Sequence, residues 1–112
     1  MIVNEETIKF TFDKNFKWST YEENFKKLVL KAPEPIHIIW DFTEMNKLPS
    51  INLVSKQGIL LMTNKSKIKK NVLTNTVLVT SGELKEKIED IFKNNYKPDS
   101  PTQVLLQSSF NF

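Results

Sequence analysis

A chain of 112 residues is long enough for one domain that buries roughly two thirds of its unfolded surface without disulfide or metal staples. It has no cysteine and one histidine, which excludes disulfide frameworks, thiol nucleophiles, and cysteine-based or multi-histidine metal sites. Its net charge of +3 is carried by lysine with no arginine, and without the guanidinium fork sequence-specific nucleic-acid recognition is not expected.

The opening residues, MIVNEETIKF, show neither a basic region before an apolar run nor a small-residue cleavage site, so no signal peptide is expected. No apolar stretch approaches the roughly 18 to 20 residues of a membrane span. The expectation is a single cytoplasmic domain over residues 1–112.

Residues 1–3 read as a short partner strand. Residues 7–12 (TIKFTF) alternate Ile8, Phe10 and Phe12 with Thr7, Lys9 and Thr11, a period of two that predicts a half-buried strand. Ser19 with Glu22 three residues on has the spacing of a capping box, and Tyr21, Phe25, Leu28 and Val29 share one helical face behind it. That helix must stop before Pro33 and Pro35. Residues 36–42 are apolar and β-branched, as in a central strand covered on both faces.

Pro49-Ser50 introduces a second helix with Ile51, Val54, Gly58, Leu61 and Met62 along one stripe, widened by Leu53 and Leu60. Residues 64–70 read as a basic turn. Residues 71–80 predict a strand, 81–93 a helix with Leu84, Ile88, Ile91 and Phe92 inward, and 102–110 a last strand. Strands alternating with helices predict an α/β fold: a small, mostly parallel four- to five-stranded sheet with three right-handed crossover helices.

In open α/β sheets ligands and partners use the loops at the carboxyl ends of the strands. Asp41 follows a strand, and Ser50 and Ser81 each stand where a helix begins. An exposed helix N-terminus favours an anion, but serine is also the ordinary N-cap residue, and capping is the simpler reading of both. His37 sits in a strand with no nucleophile in a recognisable elbow, so it is read as structural. Trp18, Trp40 and the phenylalanines are read as core. Lys65, Lys67, Lys69 and Lys70 are read as a solvated face; with no aromatic among them, a stacking platform for single strands is not expected. Two widely separated glycines exclude a glycine-rich phosphate loop. Asp13 and Asp41 both follow strands, but the further acidic residue and final lysine of a phosphoacceptor receiver are missing.

The stretch IIWDFTEMNKLPSINLVSKQGIL, a strand ending in Asp41, a loop, a serine opening a helix and a Gly-Ile-Leu segment, resembles the heart of a STAS domain, the fold of the anti-sigma-factor antagonists. The first strand, the Trp/Tyr-led helix, NTVLVTSGELKEKIEDIF and TQVLLQ extend the likeness to the SpoIIAA-like, or STAS/SEC14-associated, branch over nearly the whole chain. The resemblance implies a STAS-like fold and a non-enzymatic regulatory role. Asp41 matches the strand-end acid, and Ser50 falls in the Asp-Ser-Ser-Gly segment phosphorylated in regulated members. Read without a gap, Ser50 aligns with the serine before the phosphoacceptor, Ile51 takes the acceptor's place and Asn52 stands where glycine is usual, so phosphorylation of Ser50 is not expected.

The expected function is a protein-interaction module that docks a protein partner, or a second copy, through Asp41, Thr43, Ser50, Asn52, Leu53 and Ser81, with Leu53 and Leu60 as solvent-side anchors. The alternative is a carrier or sensor of a lipid or other apolar small molecule held between sheet and helices. No catalytic set, metal or cofactor is expected.

Overall fold

The computed structural model describes residues 6–45, 50–94, 98 and 100–107. Strands β1 (Glu6–Thr11), β2 (Ile36–Asp41), β3 (Val72–Val79) and β4 (Thr102–Leu106) form one sheet in the order β1-β2-β3-β4, with every neighbouring pair parallel. Parallel neighbours require long crossovers, and helices supply them. These are α1 (Trp18–Phe25), α2 (Ile51–Thr63) with α3 (Lys65–Asn71), and α4 (Gly82–Asn94). The fold is therefore α/β with an all-parallel four-stranded sheet, and its second crossover carries two helices. The expected strand at residues 1–3 and the end of the last one, 108–110, lie outside the described residues.

Register decides which side chains meet the helices. Phe10, Trp40, Val77 and Val104 fall in one row across the four strands. The buried residues of all four helices pack on this side: Tyr21 and Phe25 of α1, Leu60 of α2, Ile68 of α3, and Leu84 and Ile88 of α4. Opposite the bulge between Ile36 and His37, β3 carries one extra residue, Leu73, which keeps Val72 on the helix side with Val77 and Val79.

Among the described residues, no helix covers the other side of the sheet. Its rows are Thr7–His37–Thr74, Lys9–Ile39–Thr76–Gln103 and Thr11–Asp41–Leu78–Leu105. The expectation that residues 36–42 are covered on both faces is corrected here: Ile36 and Ile38 are buried, whereas His37 and Ile39 are half-buried. Polar groups there satisfy one another, His37 Nδ1 with Thr74 Oγ1 at 2.6 Å and Lys9 Nζ with Asp41 Oδ2 at 3.2 Å.

Three local readings also change. The first helix starts at Trp18 with Lys17 at its N-cap and no side-chain cap bond, so Ser19 lies inside the helix and forms no capping box. Aromatic packing sets that start: Trp18 and Phe16 stand 5.3 and 5.5 Å from the Tyr21 ring. Beyond Phe25 the helix widens into a π-helical turn, Lys26–Leu30, which buries Val29 completely and leaves Leu28 38% exposed. Residues 65–70, read as part of a basic turn, and Asn71, read as the start of a strand, form helix α3, because Ile68 is buried and the Asn71 amide donates to the carbonyls of Val29 and Leu30 at 3.0 and 3.2 Å. Its lysines remain exposed.

Phe25 is fully buried and meets both Phe10 and Trp40, at ring separations of 6.0 and 6.2 Å. Truncation Phe25→Ala should cost about 3 to 5 kcal/mol in urea melts, against less than about 1 kcal/mol for Leu28→Ala. Equal losses at the two positions would contradict the π-turn placement.

Candidate functional site

Because all strands are parallel, Asp41, Thr43, Ser50 and Ser81 share the carboxyl edge of the sheet. Asp41 Oδ1 accepts from the backbone N–H of Thr43 at 2.9 Å and from its hydroxyl at 2.6 Å, which turns the chain as it leaves β2. Burial pushes the Asp41 pKa up, but the two Thr43 hydrogen bonds and the Lys9 ammonium outweigh it and hold the carboxyl below its ordinary value. Asp41 is therefore an ionised structural anchor.

Ser50 Oγ accepts from the Leu53 N–H at 3.3 Å, and Ser81 Oγ from the Leu84 N–H at 3.2 Å, so both serines cap the helices that follow them. Asn52 is exposed, and Leu53 is half-buried. The rest of the expected docking loop, residues 46–49, lies outside the described residues. Among the described residues no group of three or more His, Cys, Asp or Glu side chains could hold a metal ion, and no helix is long and apolar enough to cross a membrane.

α2 is apolar on almost every side, and the structure divides its faces. Ile51, Ile59 and Met62 are 81%, 66% and 70% exposed, whereas Leu60 is buried. This corrects the expected stripe, from which Ile51 and Met62 turn out to solvent, and the expected solvent-side anchors, since Leu60 is buried and Leu53 is half-buried facing the cavity. The third face, with Leu53, Val54, Gln57, Gly58 and Leu61, roofs a cavity of about 190 Å³ above β2 and β3.

The cavity separates the core into two clusters. On one side lie Phe12, Phe25, Ile38 and Ile68; on the other, Val77 and Ile88. Trp40 and Phe42 touch both clusters. Trp40 and Phe92, read as core, are half-buried because both face this space. Gly58 stands mid-helix on the roof, and a Cβ added there would meet nothing within 4 Å. Close packing therefore does not require glycine at this position.

The polar groups along the wall are neutral and ordered. Asn75 accepts from Trp40 Nε1 at 3.0 Å and donates to Thr102 Oγ1 at 3.3 Å. Gln57 Oε1 accepts from the Tyr21 hydroxyl at 2.6 Å. Burial pushes the Tyr21 phenol far above its ordinary pKa, partly offset by that bond, so the hydroxyl stays a donor and fixes which way the Gln57 amide faces. Sequence reasoning missed Gln57, Asn75, Thr102 and Gly58 as members of a site. The one available signal was the glycine inside a strong helix, which is ordinarily unfavourable by about 1 kcal/mol relative to alanine.

Comparison with known proteins returns no matching family model, no matching curated protein and no matching solved structure.

Two substitutions test the edge. Ser50→Ala should lose about 1 kcal/mol of stability and Ser50→Asp almost none, measured by denaturant melts, because aspartate caps equally well. For Asp41 the folded pKa lies below the unfolded one, so its contribution is complete above about pH 4 and is lost as pH falls through the folded value. Asp41→Asn should cost about 1 to 2 kcal/mol at pH 7. The gap to the native protein should narrow on acidification below about pH 4; a gap constant from pH 7 to pH 2 would contradict the ionised anchor.

Proposed function

We propose that this chain is a non-enzymatic binding module whose ligand is a small apolar molecule held beneath α2, as a carrier or sensor. The single observation behind this reading is the cavity itself. Native interiors pack to the density of organic crystals, with few voids larger than a water molecule. A space of about 190 Å³ walled by Phe12, Phe25, Trp40, Phe42 and Phe92 is thus an exception in so small a domain. Gly58 widens it at a cost to the helix, which accords with a space kept for an occupant. A lipid- or apolar-ligand role also accords with the STAS-like resemblance to the SEC14-associated branch, and a cytoplasmic setting belongs to the same reading.

A second reading is favoured by a separate observation. Ile51, Ile59 and Met62 form an exposed apolar stripe on the outer side of α2. Such a stripe, on the helix that also carries the exposed Asn52, supports docking of a protein partner or a second copy. The same helix would then carry ligand on one face and partner on the other, the arrangement a sensor needs.

Benzene is the probe for the first reading. At ten times its dissociation constant it should raise the unfolding temperature on the order of 6 °C for a domain of this size. The rise should persist in a variant carrying Ile59→Ser and Met62→Ser, which alters only the outer stripe. No rise at the solubility limit of benzene would contradict the ligand reading, and a rise abolished by the outer substitutions would favour the stripe as the binding surface.

A further inference from the structure

The geometry points to one class of occupant: a neutral, single-ring molecule that carries one hydrogen-bond acceptor, seated on the aromatic wall with its acceptor at the Gln57 amide. This rests on the cavity being a ligand site.

Size comes first. A cavity of about 150 Å³ lined by Leu, Ile and Phe holds one benzene. At about 190 Å³ the space beneath α2 takes a ring with roughly two or three further non-hydrogen atoms. Flat shape is suggested by the wall, where Phe12, Trp40, Phe42 and Phe92 supply ring surface and the rings already stack on one another, Phe12 with Phe42 at 4.4 Å and 7° and with Trp40 at 6.4 Å and 28°. A ring slides against such faces with offset-stacked geometry, whereas a branched aliphatic group meets them poorly.

Polarity comes from the amides. Asn75 has both sides of its amide engaged, by Trp40 and by Thr102. Gln57 uses only Oε1, for Tyr21, and its Nε2 donors have no partner among the described residues. Gln57 lines the cavity, and because the Tyr21 hydroxyl holds its Oε1, the amide group left for a ligand is a donor rather than an acceptor. A carbonyl, ether or hydroxyl oxygen on the ring's substituent satisfies it. A carboxylate is a poor occupant: the described wall contributes amides, hydroxyls and apolar groups, and an ion moved there from water loses far more hydration than a neutral amide returns. Gly58 lines the space, and a Cβ added there would meet nothing within 4 Å, so a large side chain at this position has room to take up volume the ligand would need.

Three probes of similar size separate the parts of this inference in isothermal titrations: acetophenone (ring, neutral, acceptor), ethylbenzene (ring, neutral, no acceptor) and phenylacetate (ring, anionic). Acetophenone should bind about five-fold more tightly than ethylbenzene, the worth of one net neutral hydrogen bond. It should bind more than about ten-fold more tightly than phenylacetate at pH 7. Gln57→Met should erase the preference over ethylbenzene, and Gly58→Leu should abolish binding of all three while the circular dichroism melt stays cooperative. Phenylacetate binding as tightly as acetophenone overturns the neutral-ligand assignment, and ethylbenzene matching acetophenone overturns the role of Gln57; in either case the cavity remains a ligand site. Failure of all three probes to bind the native protein overturns both the assignment and the ligand reading beneath it.

Discussion

Strand order is the constraint on which the rest depends. Four parallel strands in the sequence β1-β2-β3-β4 step across the sheet in one direction, so crossovers of one hand all return on the same side. Every helix therefore lies over Phe10, Trp40, Val77 and Val104, and one layer of side chains must serve as the whole core. No described helix covers the opposite face, where polar side chains bond to one another. Threonines and a glutamine occupy five of the eleven positions in its three rows, His37 is held by Thr74, and Lys9 neutralises Asp41. Parallel sheets are usually covered on both sides, and the polar bonding of these rows is what permits the exception.

The same constraint leaves the cavity. Cover over β1 and β2 comes from α1 with its π turn and α3, and cover over β3 and β4 from α4. α2 crosses between them, its first turn capped by Ser50 and its Leu60 buried near the other end. With glycine and glutamine on its inner face, it does not fill the gap that Trp40 and Phe92 leave open. An unfilled space forfeits dispersion contacts, so the fold is less stable than a repacked one would be. Under the proposed ligand reading, an occupant would supply the missing contacts and couple its binding to the stability of α2, which carries Ile51, Ile59 and Met62 on its outer side.

Strands were legible in the sequence because their signals are local. The period of two at residues 7–12, the β-branched runs at 36–42 and 71–80, and the prolines between elements have few alternative readings, and with them came the parallel order. Ser50 and Ser81 were legible as caps for the same reason. What failed depends on tertiary contact. Ser19 and Glu22 have the spacing of a capping box, yet the rings of Phe16, Trp18 and Tyr21 decide where the helix begins. A lysine-rich run with a single isoleucine looks like a loop, yet Ile68 buries and Asn71 ties the segment to the π turn. α2 defeated periodicity because apolar residues surround it, so no face could be chosen from spacing alone. A cavity has no sequence signal of its own, and only Gly58 pointed toward it.

The most direct measurement is a crystal structure of the protein under xenon pressure, since xenon enters dry apolar cavities and is located without ambiguity by its scattering. The account predicts a xenon atom among Trp40, Phe92 and Gly58, with α2 unmoved. A site filled by ordered water, or α2 collapsed onto β2 and β3 with no space beneath it, would contradict it.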